Sequence, residues 1–120
     1  MARILLVEDE DLLRWSLVQR LTRAGHDVSE AENLARATEQ LHNSAPDLML
    51  LDLALPDGHG LDFLDRYARS LGGTIVVVLT AVGDHDDAER AALLGVHEFL
   101  TKPVEHDQLV RLIDGWLPSP

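Results

Sequence analysis

Residues 48–58 read LMLLDLALPDG, Leu48-Met49-Leu50-Leu51 running straight into the carboxylate of Asp52, with a Pro56-Asp57-Gly58 turn closing the stretch. A short apolar run bounded by turn residues reads as a strand covered on both faces. Burying an unpaired carboxylate is costly. Asp52 therefore stands where that strand reaches solvent, or it answers to other charged groups gathered there. The same pattern occurs twice more: Arg3-Ile4-Leu5-Leu6-Val7 ends in Glu8-Asp9, and Ile75-Val76-Val77-Val78-Leu79 ends in Thr80.

Helical patterns separate these runs. Leu13, Leu17 and Leu21, with Val18 and Ala24, fall on one helical face, and Gly25 stops it. Asp27–Ala31 alternates weakly and predicts a short strand. Asn33 is placed to cap a helix carrying Leu34, Ala37, Thr38 and Leu41, which ends before Ser44-Ala45-Pro46. A loop through Pro56, Gly58 and Gly60 leads to a helix with Leu61, Leu64 and Ala68 that stops at Gly72-Gly73. A helix from Asp84 to Leu94, with Asp84, Asp86 and Asp87 suited to its start, ends at Gly95. His97–Thr101 is a last strand, Lys102-Pro103 a turn, and Glu105–Leu117 a last helix. Five strand–helix alternations with short connections demand a doubly wound α/β fold: a parallel sheet, right-handed crossovers and helices on both faces. Residues 1–117 form one domain on this reading, and 118–120 (Pro-Ser-Pro) begin a linker.

Composition narrows the function classes. The 120 residues suit one hydrophobic core, and no apolar run approaches the roughly 18 residues of a membrane span. The acidic turn after Val7 argues against a signal peptide, and a chain without cysteine is compatible with a reducing cytoplasm. The net charge of −11 argues against direct contact with nucleic-acid phosphates. The histidines are scattered without ligand spacing and read as surface or loop residues, while Trp15 and Trp116 read as packing or partner-contact residues. A nucleotide-binding domain needs a glycine-rich loop after the first strand; Glu8-Asp9-Glu10-Asp11 stands there and repels phosphate.

In parallel α/β sheets the ligand site lies beyond the carboxyl ends of the strands. Those ends carry Glu8 and Asp9, Asp52, Thr80, and Thr101-Lys102, so carboxylates, a hydroxyl and an ammonium converge. Two like charges about 4 Å apart repel by roughly 4 kcal/mol at an effective dielectric near 20. Such a cluster needs cations. Lys102 supplies one, and a hard, oxygen-preferring divalent ion such as Mg²⁺ supplies the rest. The result is a receptacle for a phosphoryl group, with Asp52 as the central nucleophile, Thr80 a hydrogen-bond donor, and Glu8 and Asp9 metal ligands.

The pieces ILLVEDE, LMLLDLALPDG, VVVLTA and EFLTKP, in this order and spacing, resemble the CheY-like receiver domain of bacterial two-component response regulators from about Arg3 to Trp116. The resemblance implies a flavodoxin-like sheet of strand order 2-1-3-4-5 and a phosphorylation switch rather than a turnover enzyme. It implies that Asp52 accepts phosphate from a sensor histidine kinase, and that Asp9, Asp52 and the Ala54 backbone carbonyl coordinate Mg²⁺ while Glu8 holds a metal-bound water. Lys102 would contact the phosphoryl oxygen, Pro103 would form the cis-prone turn, Thr80 would move toward the phosphoryl group and Phe99 would turn inward. The surface of the fourth helix, fifth strand and fifth helix would then change and control an output domain or partner, with phosphorylation-dependent homodimerisation a further expectation. Arg14-Trp15 and the proline-containing tail resemble receivers attached to transcriptional activators. Ala54 and Val82, small or apolar where the family often has larger or polar residues, imply unremarkable to slow self-dephosphorylation. His59 reads as a loop variation. The enzyme-class rival is an aspartyl phosphatase of the haloacid dehalogenase type, which carries a second Asp two residues beyond its nucleophile; here that place is Ala54.

Overall fold

A computed structural model describes residues 2–67, 71–81 and 83–117. The elements run β1 (Arg3–Val7), α1 (Asp11–Arg23), β2 (Asp27–Ala31), α2 (Leu34–Asn43), β3 (Leu48–Leu51), β4 (Ala54–Leu55), β5 (Gly58–His59), α3 (Gly60–Tyr67), β6 (Ile75–Thr80), α4 (His85–Leu93), β7 (Glu98–Thr101) and α5 (His106–Trp116). Five strands form one parallel sheet in the order β2-β1-β3-β6-β7. Counted among themselves, these five are in the expected order 2-1-3-4-5.

Successive side chains of a strand point to opposite faces, and here each face has its own helices. Leu5, Val7, Met49, Leu51, Val76 and Val78 pack with Ala37 of α2, Phe63 and Leu64 of α3, and Ala91 of α4. Ile4, Leu6, Leu48, Leu50, Val77 and Leu79 pack with Leu17 and Leu21 of α1 and Leu109 and Ile113 of α5. β3 is the centre of this arrangement, and all four of its residues are buried. That accounts for the uninterrupted apolar run from Leu48 to Leu51.

The helices begin and end for local reasons. The Asn33 side chain accepts from the Arg36 amide, so it caps α2. Asp84 and Asp87 form a reciprocal capping box at the start of α4. Glu105 accepts from the Asp107 and Gln108 amides at α5. Gly25 and Gly95, just past α1 and α4, take the positive φ values of 95° and 86° that end a helix cheaply. The expected loop at residues 53–60 proves more regular, with β4 and β5 forming a two-residue antiparallel pair. His26, read as a loop residue, turns a largely buried ring onto Asp114 at 2.6 Å. Ala68, Val82 and the Pro118–Pro120 tail lie outside the described residues, so expectations placed on them stand as expectations.

Candidate functional site

Register brings the acids together. Val7 pairs with Leu51, and Leu51 with Val78, so Glu8 and Asp52 leave adjacent strands side by side. The Asp52 amide still donates to the Val7 carbonyl at 3.0 Å, which fixes the strand end beneath its carboxylate. One carboxylate oxygen from each of Glu8, Asp9 and Asp52 lies within 4.8 Å of the others. Glu8 and Asp52 are buried, whereas Asp9 is exposed.

Lys102 arrives from the edge of the sheet. Thr80 and Thr101 are paired in register, and the Lys102 amide donates to the Thr80 carbonyl at 2.8 Å. The Lys102–Pro103 peptide is cis. The ammonium donates to Glu8 Oε1 at 2.6 Å and to Asp52 Oδ2 at 3.2 Å. The remaining oxygens take backbone donors, Glu8 Oε2 from the Glu10 amide at 3.1 Å and Asp52 Oδ1 from the Ala54 amide at 3.3 Å. Burial, reinforced by the charge of Asp52, pushes the Glu8 carboxyl up to about 7 despite its bond to Lys102. Burial works against the Lys102 ammonium, but its bonds to Glu8 and Asp52 prevail and hold its pKa above the usual lysine value. The lysine therefore stays charged.

The structure thus groups Glu8, Asp9, Asp52 and Lys102, with Thr80 buried at the neighbouring strand end. Ala54 is exposed and follows Asp52 by two residues, on the rim of the site. Phe99 is half-buried on β7 opposite Val78. Three contributors escaped sequence reasoning. Arg14, in the first turns of α1, donates to the Glu8 carbonyl at 2.8 Å and to Asp11 at 2.7 Å and Glu30 at 3.2 Å, so it pins the acidic loop. Its spacing from Glu8, less than two helical turns, is the only available signal. Gly60 supports the Asp52 backbone: a Cβ there would lie 2.7 Å from the Asp52 carbonyl oxygen and 3.0 Å from Leu53 Cα. Asp57 closes the same loop by accepting from the Leu34 and Ala35 amides at 2.8 and 2.9 Å, bonds that hold its carboxyl below the usual range.

The donor set suits a hard cation. Three carboxylates offer oxygen only, one of them reaches solvent, and no cysteine competes. An octahedral Mg²⁺ spaces its ligand oxygens about 3–4 Å apart, inside the 4.8 Å that bounds these three.

A model of the response regulator receiver domain matches residues 4–114. The chain belongs to this family. Receiver domains are phosphorylation switches of two-component signalling. The phosphate regulon transcriptional regulatory protein PhoB of Escherichia coli is 40% identical over 113 residues, which cover 92% of this chain and 49% of that protein. The virulence transcriptional regulatory protein PhoP of Salmonella typhimurium is 36% identical over 110 residues, with the same coverage of 92% and 49%. The chain therefore spans about half the length of these relatives. The non-phosphorylated HemR receiver domain of Leptospira biflexa superimposes with a TM-score of 0.91 at 31% identity, covering 100% of this chain and 98% of that one. TrrA of Thermotoga maritima, solved in complex with Mg²⁺ and beryllofluoride, gives a TM-score of 0.85 at 26% identity, covering 98% of this receiver and 100% of TrrA.

Proposed function

We propose that Asp52 is the phosphoacceptor of this receiver, taking its phosphoryl group from the phosphohistidine of a sensor kinase. The observation that carries the proposal is the convergence of the Glu8, Asp9 and Asp52 carboxylates on the Lys102 ammonium. A carboxylate oxygen of Asp52 attacks phosphorus in line with the imidazole nitrogen. The P–N bond breaks, its electron pair stays on the ring, and Asp52 becomes an acyl phosphate. Lys102, held protonated, exchanges an Asp52 oxygen for a phosphoryl oxygen. Thr80 donates its hydroxyl to another phosphoryl oxygen, and the inward position of the Phe99 ring, beside Thr80, goes with that state.

Asp9, Asp52 and the Ala54 carbonyl would hold Mg²⁺, which when bound would supply positive charge to the phosphoryl oxygens; the crystallised complex of TrrA with Mg²⁺ and beryllofluoride supports this choice. Glu8 would serve that ion through an intervening water. Ala54 offers no acid to protonate a leaving group, so the haloacid dehalogenase reading loses its second carboxylate and the domain is a switch without turnover. Ala54 offers attacking water no polar side chain, so self-dephosphorylation is unremarkable to slow. The transcriptional regulators among the relatives support a cytoplasmic protein whose switching surface, formed by α4, β7 and α5, controls a transcriptional output domain or the pairing of two receivers. Incubation with Mg²⁺ and a small acyl phosphate donor, followed by intact-mass and peptide analysis, tests the assignment. One hydroxylamine-labile phosphoryl group is expected on Asp52. Labelling that persists in Asp52→Ala overturns it.

A further inference from the structure

Gly83, in the loop between β6 and α4, is exposed and is not among the positive-φ glycines, so its backbone alone would accept a side chain. The space beside it would not. A Cβ built there lies 2.9 Å from Phe99 Cζ, 3.3 Å from Phe99 Cε1 and 3.2 Å from Thr80 Cγ2. Non-bonded carbons settle at about 3.5–4.0 Å, so a methyl group here would force the tip of the Phe99 ring to move away. Glycines 25, 72, 73, 95 and 115, by contrast, have open space where their Cβ would stand.

We propose that Gly83 is a positioning residue for the switch: its missing side chain is the slot that the Phe99 ring fills, and Thr80 forms the slot's other wall. The inference deepens the reading of Thr80 and Phe99 as the switch pair and rests on it. Slot and phosphoryl site are then coupled through one side chain. The Thr80 methyl borders the slot, and its hydroxyl serves the phosphoryl group at Asp52. Whatever excludes the ring from the slot removes the binding-competent state and weakens a phosphoryl mimic by the corresponding population factor. A methyl group at position 83 does this by overpacking.

Beryllofluoride titration in saturating Mg²⁺, read by calorimetry, tests this in four proteins: wild type, Gly83→Ala, Phe99→Leu and the double variant. Gly83→Ala is expected to weaken beryllofluoride binding about tenfold. In the Phe99→Leu background, where the far end of the ring is gone, the same substitution is expected to change binding less than about twofold. Equal losses in both backgrounds would mean that alanine merely stiffens the loop and would overturn the proposal, as would no loss in either. Should Gly83→Ala alone fail to fold, the double variant must fold and bind, because the shortest contact, that with Phe99 Cζ, is relieved and only the milder one with Thr80 Cγ2 remains; an unfolded double variant also overturns the slot. A wild-type protein that ignores beryllofluoride would instead remove the phosphoacceptor reading on which the inference stands.

Discussion

Asp52→Asn measures how far the acid cluster is overcharged. At the 4.8 Å limit on their oxygens, Glu8 and Asp52 repel by about 3.5 kcal/mol at an effective dielectric of 20. The contact of Asp52 with Lys102 at 3.2 Å returns about 5 kcal/mol on the same scale. The lysine contact exceeds the Glu8 repulsion by under about 2 kcal/mol, before the further repulsion from Asp9 is counted. The decisive quantity is then the burial of the Asp52 carboxylate, 6% exposed, since an ion removed from water costs several kcal/mol. Asparagine avoids that cost. Its amide oxygen still accepts from Lys102 or Ala54, its NH₂ donates to Glu8 or Asp9, and the Glu8–Lys102 pair stays intact. The metal-free variant is expected to be more stable than wild type by about 1–3 kcal/mol, roughly 4–12 °C in melting temperature for a domain of this size. Thermal unfolding with chelator at pH 8, followed by circular dichroism, reads this directly. Saturating Mg²⁺ should narrow or reverse the gap, because wild type gains more from a dication than a variant lacking one carboxylate ligand. A metal-free melting temperature below wild type would show that the lysine contact outweighs burial and repulsion, and the argument for a cation-hungry pocket would fail.

Glu8 gives a pH test. Its folded pKa of about 7 lies above the unfolded 4.5, so the folded state binds the proton more tightly and stability falls as pH rises between those values, by up to about 3 kcal/mol. Urea titrations of the metal-free protein from pH 4.5 to 7.5 should show that decline relative to Glu8→Gln; parallel curves would refute it. Gly60→Ala should destabilise by about 1–3 kcal/mol, since the new methyl meets the Asp52 and Leu53 backbone rather than a side chain that can swing away; an unchanged denaturation midpoint would show that the loop yields. Asp57→Ala should cost about 1 kcal/mol by removing the acceptor of the Leu34 and Ala35 amides at the start of α2, with Asn33 still capping it, and a loss below about 0.3 kcal/mol would mean that water replaces it.

Why the sheet was legible follows from its burial. β3 and β6 are covered on both faces, so they appear as unbroken apolar runs whose ends are marked by the first polar residue, Asp52 or Thr80. A parallel sheet then forces those polar residues to one edge, which makes Glu8, Asp52 and Lys102 neighbours before any coordinate is known. β4 and β5 are two residues each, too short for any period to register. Distances across the sheet leave no trace either: that Lys102 lies nearer Glu8 than Asp52, or that Gly83 faces the tip of Phe99, depends on packing between elements far apart in the chain. Arg14 hides for a related reason. It looks like one more helix-surface cation until its bond to the Glu8 carbonyl shows what it holds.

The two bonds of Lys102 also bear on the order of events on this reading. While the ammonium is shared between Glu8 and Asp52, an approaching phosphoryl group meets two buried carboxylates whose only bonded counter-charge among the described residues is already engaged. Neutralising those acids from the solvent side, where Asp9 is exposed, frees Lys102 to turn toward a phosphoryl oxygen and leaves Asp52 able to attack. On this reading, the same crowded charge that favours a cation makes cation binding precede phosphoryl transfer.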